Sequence, residues 1–484
     1  LEGVINGDLF EMPAGTVGAA FGFHIRHESI DDLPGEQARL GNYWGSTSAG
    51  HTEGDDTVRE LFGELEIPLI RGFTGIDDLT LNLSGRFSDY DSYGSNSTYK
   101  VGLNWQITPA WRLRGTYGTG FRAPALYELY LANQTGFLGQ TSVDPCINWG
   151  DSSHPSIPIN CQTGIDRNSD GDFLDPGDLP PVTSSTYTAA GTSSATVTSR
   201  GGLGELEPET AEAFTVGVIW TPSFIDLSVA VDYFDILIED AVLGLSASVV
   251  AQCYAVPVAQ FATNPFCTFF TRSTNPALPQ IVTIDNAYRN VNSQTNRGLD
   301  LNVRYNHEFS FGDLTVAGQA TWQFEDVVAL LDGSLPQDNN GETTEPDFTA
   351  NLNFIFERGD WTAFWGMNIF GKASDTEAFG GDVFTSSRYA DIAGGILGTN
   401  CAAPGPSDYC VYYKQYTEMT TFHNVSLSYR MDDWTFQAGI RNLFDEYNPH
   451  ASAGQYRQGH TSYGIPGNDG LIGRSGWVNV TRRF

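Results

Sequence analysis

The most distinctive chemical motif of this sequence is a run of oxygen-bearing side chains in a segment rich in aspartate and glycine. A hard cation such as calcium needs several oxygen ligands within a tight turn, and alternating positions with glycine at the sixth supply that arrangement. Gly171 stands at the sixth position, but Gly177 stands where a twelfth-position acid is expected, so Asp175 or Asp178 would have to substitute. The sequence predicts a Ca²⁺ site in the 166–178 loop, against the alternative of an acidic loop that binds nothing. The candidate ligands are Asp166, Asn168, Asp170, Asp172 and Asp175.

The six cysteines are the second candidate for site chemistry. None has the CxxC spacing of a metal site, and each close pair falls in a long segment without strand character. Local disulfides that pin loops in an oxidising compartment are the simplest interpretation. Pairing does not follow from the sequence, and free thiols remain an alternative. The close pairs are Cys146 with Cys161, Cys253 with Cys267, and Cys401 with Cys410.

Aromatic residues are frequent in the same long segments. Exposed rings there would suit stacking on sugars or on a bulky chelate, whereas packing of loop against loop is the alternative. The residues are Tyr43, Trp44, Trp149, Tyr254, Phe269, Phe270, Tyr389, Tyr412, Tyr413, Tyr416 and Tyr456.

Enzyme motifs are missing from the sequence. The eight histidines are scattered without HExxH, and no GxSxG elbow, P-loop or complete GxGxxG fingerprint occurs. We therefore expect no enzyme activity, no catalytic residues and no cofactor other than the calcium ion. The formal net charge of -33 argues against a nucleic-acid partner, because phosphate binding needs clustered Lys and Arg.

Strands that alternate apolar and polar residues must position these loops. Leu299, Leu301 and Val303 alternate with Asp300 and Asn302, which gives one apolar and one polar face. Fourteen such strands are predicted, near 16–27, 58–70, 79–90, 98–107, 111–121, 211–221, 225–238, 295–308, 312–325, 347–357, 361–371, 415–430, 434–441 and 473–484.

Short and long connections alternate between these strands. Tight turns on one rim and long loops on the other are typical of an outer-membrane barrel with its apolar face toward lipid and its polar face toward a wet lumen. Arg86, Arg112, Arg114 and Arg304 fall on the polar phase, so we expect them in the lumen. A soluble sandwich with the apolar face inward is the alternative.

Four segments carry a family resemblance. Residues 118–129 (GTGFRAPALYEL) resemble the GFRAPSL-x-EL segment of TonB-dependent outer-membrane receptors. Residues 206–209 (LEPE), 232–236 (DYFDI) and 442–447 (NLFDEY) are similar to further segments of that family, in the same order. The last residue, Phe484, is similar to the terminal aromatic of such barrels.

The resemblance implies an all-β, antiparallel transmembrane β-barrel in the cell outer membrane of a Gram-negative bacterium, with extracellular long loops. Family members carry a plug domain, a TonB box and 22 strands, so we interpret residues 1–484 as a partial barrel domain without the plug and the first strands. The implied function is TonB-dependent uptake of an oligosaccharide, ferric siderophore or cobalamin-like solute. The implied partners are outer-membrane lipid and TonB–ExbB–ExbD, which would act through the plug region. A structural or adhesive barrel and a passive porin are the alternatives.

Overall fold

A long antiparallel sheet dominates the structure, a computed structural model that describes residues 1–43, 48–152, 154–173, 175, 177–189, 194–245, 248–329, 336–342, 345–374, 416–452, 461–463 and 469–483. The strands in these ranges are β1 (Glu2–Met12), β2 (Gly15–Asp32), β3 (Thr52–Phe73), β4 (Ile76–Tyr90), β5 (Gly94–Thr108), β6 (Trp111–Arg122), β7 (Gln134–Gly139), β8 (Ser194–Arg200), β9 (Glu209–Trp220), β10 (Leu227–Gly244), β11 (Phe270–Arg272), β12 (Ile281–Phe309), β13 (Gly312–Ala329), β14 (Gln337–Asp338), β15 (Phe348–Arg358), β16 (Trp361–Phe370), β17 (Ala373–Ser374), β18 (Tyr416–Thr417), β19 (Thr420–Met431), β20 (Trp434–Arg441), β21 (His450–Ser452), β22 (Thr461–Tyr463) and β23 (Ser475–Arg482).

Helices are short and lie in the connections. The α-helices are α1 (Glu36–Arg39), α2 (Leu126–Tyr130), α3 (Gln140–Val143), α4 (Ile157–Thr163), α5 (Ser248–Tyr254), α6 (Val258–Phe261) and α7 (Asp469–Ile472), and single 3₁₀ turns cover Trp149–Asp151 and Pro265–Thr268. Of the helices in the described ranges, none has the length and apolar content needed to cross a bilayer.

Fifteen strands pair side by side in the described part of the chain, each antiparallel to the next. The order is β1-β2-β3-β4-β5-β6-β9-β10-β12-β13-β15-β16-β19-β20-β23. All fourteen predicted strands are present, and β3, β10 and β12 extend further toward the long connections than the sequence pattern indicated.

The first strand, β1, was not predicted. The reason is a bulge between Asp8 and Phe10, which shifts the register against β2 by one residue. Ile5 pairs with Phe21 before the bulge and Phe10 pairs with Val17 after it, so the apolar phase moves from odd to even positions. A bulge therefore removes the period of two that identifies a strand in a sequence.

The alternation of connections largely follows the prediction. Two residues each join β1 to β2, β3 to β4, β5 to β6, β12 to β13, β15 to β16 and β19 to β20. The connection between β4 and β5, on the opposite rim, covers only 91–93, so that rim carries one tight hairpin among its long loops.

Cross-strand register separates the two faces of the sheet. One row of paired residues is polar and runs Thr80, Asn104, Arg114, Gly217, Asp232, Asp300, Thr321 and Thr349. The row one residue away lies on the other face and runs Leu79, Trp105, Leu113, Val218, Val231, Leu301, Ala320 and Ala350. We refer to these two surfaces as the polar face and the apolar face.

Neither face of the sheet forms a dry core. Leu301, Val303 and Val316 are only partly buried, and Trp322 on the same face is 37 % exposed. Arg304 and Gln319 are exposed on the polar face. A soluble sandwich buries one face of each sheet, so the sandwich interpretation is wrong.

The main packed core lies outside the long sheet, in a lobe built from two connections. This lobe comprises the described residues of 134–200 and 248–291. In it β7 pairs with β8, β8 runs parallel to the first part of β12, and β11 pairs with β12. Its interior contains fully buried apolar side chains from both connections, among them Leu179, Val182, Val249, Val250 and Ile281.

Candidate functional site

An ion-pair cluster at the loop-bearing end of the sheet fixes the start of the first lobe connection. The Arg122 guanidinium donates from Nε to Glu209 on the neighbouring strand at 2.7 Å and from NH1 to Glu128 of α2 at 2.9 Å. Glu209 also accepts from the backbone N–H of Val242, and Glu128 accepts from that of Ala125. Bidentate Arg–carboxylate pairs impose geometry as well as charge. The chain therefore leaves β6 in a fixed direction.

Two disulfides stabilise the lobe. The structure joins Cys146 to Cys161 and Cys253 to Cys267, and all four residues are buried. Each bond connects the two members of one close pair. The predicted third pair, Cys401 and Cys410, lies outside the described residues.

A buried ion pair connects the two lobe connections to each other. The Arg272 guanidinium forms two hydrogen bonds with the Asp144 carboxylate, at 2.7 and 2.8 Å, and both side chains have zero exposure. Arg272 also donates to the Tyr254 hydroxyl and the Pro279 carbonyl. Burial opposes the charged guanidinium, but the adjacent Asp144 carboxylate raises the pKa of Arg272 above its usual value.

Amide side chains add further bonds between the same two connections. The Gln140 amide donates to the Ile281 carbonyl at 2.6 Å and accepts from the Ile281 N–H at 3.2 Å. Asn160 Nδ2 donates to the carbonyls of Tyr254 and Val256, both at 2.9 Å. The two connections consequently fold as one body, which the sequence did not indicate.

Several of the aromatic residues in the long connections are part of the lobe core. Tyr254 and Phe270 are buried, and Trp149 packs against the core with its indole N–H bonded to the Val182 carbonyl. Phe269 is half-buried, and Tyr43 is exposed. For Trp149, Tyr254 and Phe270 the structure favours the alternative of packing between loops, because two neighbouring connections bury them jointly. The side chains of Trp44, Tyr389, Tyr412, Tyr413, Tyr416 and Tyr456 lie outside the described residues.

Two partly exposed arginines meet where the lobe joins the sheet. Arg200, at the end of β8, and Arg289, on β12, both donate to one oxygen of Asp285, at 3.4 and 3.2 Å. Arg289 also lies over the Phe269 ring at 4.6 Å, and Glu205 is 3.8 Å away. Each guanidinium has five N–H donors, so the shared Asp285 oxygen, with Glu205 near Arg289, does not occupy all of them. We refer to Arg200 and Arg289 as the arginine pair.

The predicted calcium ligands come together in part. Asp170, Asp172 and Asp175 each place a carboxylate oxygen within 4.8 Å of the others, all exposed. Asn168 donates to Asp170 and Asp175 through its amide nitrogen. The Asp166 carboxylate accepts the backbone N–H groups of Ser169 and Gly171 and folds the turn. Asp178, considered as a substitute ligand, is buried and accepts from the Arg167 N–H.

The polar face carries ion pairs that span strands. Arg114 forms two hydrogen bonds with Asp232, at 2.7 and 2.6 Å, across the intervening Gly217. A Cβ added to Gly217 would lie 1.9 Å from Asp232 Oδ1, so only glycine permits this bridge. Arg86 and Arg304 occupy the same face, as predicted.

A family model described as TonB dependent receptor-like, beta-barrel matches residues 5–443. The chain belongs to the TonB-dependent receptor family. The wet polar face and the apolar face of this TonB-dependent barrel are then the lumenal and lipid-facing surfaces of an antiparallel outer-membrane barrel.

Individual relatives resemble the chain in sequence or in fold. A 50-residue segment is 40 % identical to the vitamin B12 transporter BtuB of Vibrio cholerae serotype O1, and it amounts to 10 % of this chain and 8 % of that transporter. The siderophore receptor PirA of Acinetobacter baumannii is 14 % identical with a TM-score of 0.53, over 100 % of this chain and 54 % of PirA. A variant of the ferric enterobactin receptor PfeA of Pseudomonas aeruginosa, in complex with enterobactin, is 16 % identical with a TM-score of 0.56, over 99 % of this chain and 53 % of PfeA. The chain spans about half the length of these receptors, and at such identities the likeness shows the fold alone.

Segments that carried the family resemblance contribute residues to ion pairs that hold neighbouring elements together. Arg122 and Glu128 of the first segment and Glu209 of the second are the members of one ion-pair cluster, and Asp232 of the third binds Arg114. The arginine pair lies in none of these segments. No sequence motif marks these two arginines. The sequence offers only the general observation that basic residues are scarce, with 25 Lys and Arg against 58 acidic residues.

Proposed function

We propose that this chain is the barrel part of an outer-membrane receptor for TonB-dependent uptake of a scarce nutrient, in the class of oligosaccharides, ferric siderophores or cobalamin-like solutes. Long loops face the cell exterior and capture the nutrient. TonB, with ExbB and ExbD, acts through a plug domain to open the lumen. The residues carry binding and transport, and no enzymatic step.

The separation of polar and apolar faces along eight neighbouring strands carries the proposal. Rows of apolar side chains are suited to contact with lipid hydrocarbon. Rows of polar side chains with ion pairs such as Arg114–Asp232 are suited to a water-filled lumen. The packed lobe supports the receptor part of the proposal, because a preformed surface loses less entropy on binding than a mobile loop.

The test is uptake by cells that carry the full-length receptor. We expect accumulation of one labelled nutrient to require both this gene and an intact tonB gene. Uptake that persists without TonB would indicate a passive porin, and no uptake together with adhesion to a surface would indicate an adhesive barrel.

The arginine pair supports capture of a negatively charged group, such as a carboxylate, phosphate or catecholate. Replacing both residues in Arg200→Ala/Arg289→Ala removes donors whose charge-assisted bonds contribute about 1.5–3 kcal/mol each. We expect affinity for the anionic members of a panel of iron-loaded siderophores to fall at least about tenfold, measured by calorimetry in detergent. Arg71→Ala, which breaks an exposed pair with Asp78 at the opposite rim, is the control. Unchanged affinity in the double variant would remove the pair from the binding site.

We propose further that the 166–178 loop binds Ca²⁺ through Asp170, Asp172 and Asp175, with Asn168 turned to present its amide oxygen. The clustering of these three carboxylates supports the proposal, because their mutual repulsion is relieved by a divalent cation. Its role would be to stiffen the edge of the lobe.

Replacing Asp170 and Asp172 with Asn should weaken calcium binding by the full receptor at least about tenfold, since each change removes one negative ligand. Calorimetric titration with calcium chloride measures the change. Asp151→Asn, in the same connection but outside the loop, should bind like the unaltered receptor. Absence of calcium-dependent heat in the unaltered receptor would contradict the assignment.

A further inference from the structure

One tryptophan departs from the distribution of the others on the long sheet. Trp105, Trp111, Trp220, Trp361, Trp365 and Trp434 share the phase of the apolar rows, where they fit interfacial girdles. Trp477, which also lies near a strand end, pairs with Gly439, and Gly439 pairs with Ser426. Its neighbours Val478 and Val480 are exposed on the apolar face, so Trp477 lies on the polar face. A girdle role does not explain it.

Trp477 forms one wall of an open cleft on the polar face. A Cβ added to Gly439 would lie 2.6 Å from Cε2 of the indole, so the ring lies across the space that the glycine leaves free. Phe364 occupies the same cross-strand row on the far side, and the two positions between them hold only Ser426 and Gly439. The cleft is thus bounded by Phe364 and by the Trp477 indole, which covers Gly439, and it has a volume of about 470 Å³.

Polar side chains surround the cleft. Gln437 and Arg441 line it, and within the described part of the chain neither has a side-chain hydrogen bond or ion pair. Asn424 also lines it, and its Oδ1 accepts from the Asn442 N–H, which leaves the amide N–H₂ free to donate. Thr362 contributes a hydroxyl. Apolar walls with a few convergent polar groups are the composition of a ligand site rather than of a solvated barrel wall.

We propose that this cleft is a saccharide site, in which a sugar ring packs against the Trp477 indole and its hydroxyls bond to Gln437, Asn424 and Arg441. The proposal rests on the proposed uptake function and specifies a substrate class for it. A pyranose has an apolar C–H face that matches an indole face, and an edge of hydroxyls that both donate and accept. Gln437 offers both kinds of partner, whereas Arg441 offers donors only.

The test uses the full receptor in detergent, applied to a printed array of neutral and acidic oligosaccharides. We expect binding to at least one glycan, with a loss of at least about tenfold in affinity for Trp477→Ala. Gly439→Ala, which keeps the tryptophan but displaces its ring, should lose binding similarly. Trp434→Ala, on the apolar face of the adjacent strand, should bind as the unaltered receptor does. Heat-modifiable migration in gels verifies that each variant is a folded barrel.

The outcomes separate this proposal from the uptake proposal. No glycan bound, or equal binding by Trp477→Ala and the unaltered receptor, overturns the saccharide site even where TonB-dependent uptake of another nutrient is found. The saccharide site is also overturned if no glycan binds and Trp477→Ala changes how tightly the plug domain is held in the barrel. The cleft is then a contact for the plug. Glycan binding that depends on Trp477 without TonB-dependent uptake supports the site and removes the transport function.

Discussion

Arg272→Ala is expected to unfold the lobe while the long sheet stays intact. The change leaves the Asp144 carboxylate buried at zero exposure without its cation, and breaking a buried pair in this way costs about 3–5 kcal/mol. The two connections should then separate, because Arg272 and Asp144 belong to different ones. Hydrogen exchange of buried lobe amides, such as Ile281, measures the effect, and we expect protection to fall by about 10² to 10⁴.

Two further variants separate loss of this pair from general damage. Arg200→Ala breaks a partly exposed pair and should change lobe stability by no more than about 1 kcal/mol. The double variant Asp144→Leu/Arg272→Leu replaces both charges with apolar groups and should recover much of the protection, since a missing pair is less costly than an unpaired buried charge. Protection within about tenfold of the original in Arg272→Ala would show that the disulfides and amide bonds suffice.

Val303→Arg is expected to destabilise the barrel strongly, whereas Asn302→Arg on the adjacent position is not. Val303 belongs to the apolar face, midway between Phe309 at the tight-turn end and Arg297, which pairs with Asp235 and Glu325 on the same face. An arginine facing hydrocarbon near mid-membrane costs about 2–4 kcal/mol. Denaturant titration of the full chain folded in phosphatidylcholine vesicles gives the difference.

Asn302 is the matched control because it lies on the same strand at the same depth and differs only in face. Its side chain is exposed on the polar face beside Arg304 and Gln319, so an arginine there should change the free energy of unfolding by no more than about 0.5 kcal/mol. Equal losses at positions 302 and 303 would contradict the assignment of the two faces.

Much of the sheet was predictable because its signal is local. An antiparallel strand with one wet and one lipid-facing side has a period of two, and that period identified fourteen strands. It failed at β1, where the bulge at Asp8 moves the apolar phase. It also underestimated β3 and β12, which continue beyond the residues that alternate.

The candidate sites were predictable to different degrees. The calcium loop is a sequential motif, so its spacing alone brought Asp170, Asp172 and Asp175 into consideration. Cysteine proximity in sequence likewise anticipated two disulfides. The arginine pair joins residues 89 positions apart, and the Trp477 cleft depends on the pairing of four strands, so no local pattern reveals either.

The sequence by itself determined the family, the two-faced strands and the positions of most turns, because each depends on residues within one strand or one turn. Only the tertiary structure decided that two connections share one core around Asp144 and Arg272, which places aromatics such as Tyr254 inside rather than on a binding surface. It also decided which face Trp477 occupies, since a strand end carries too few alternating residues to set its phase without the register against β20. The physical reason is the same in both cases: burial and register depend on neighbours that are distant along the chain.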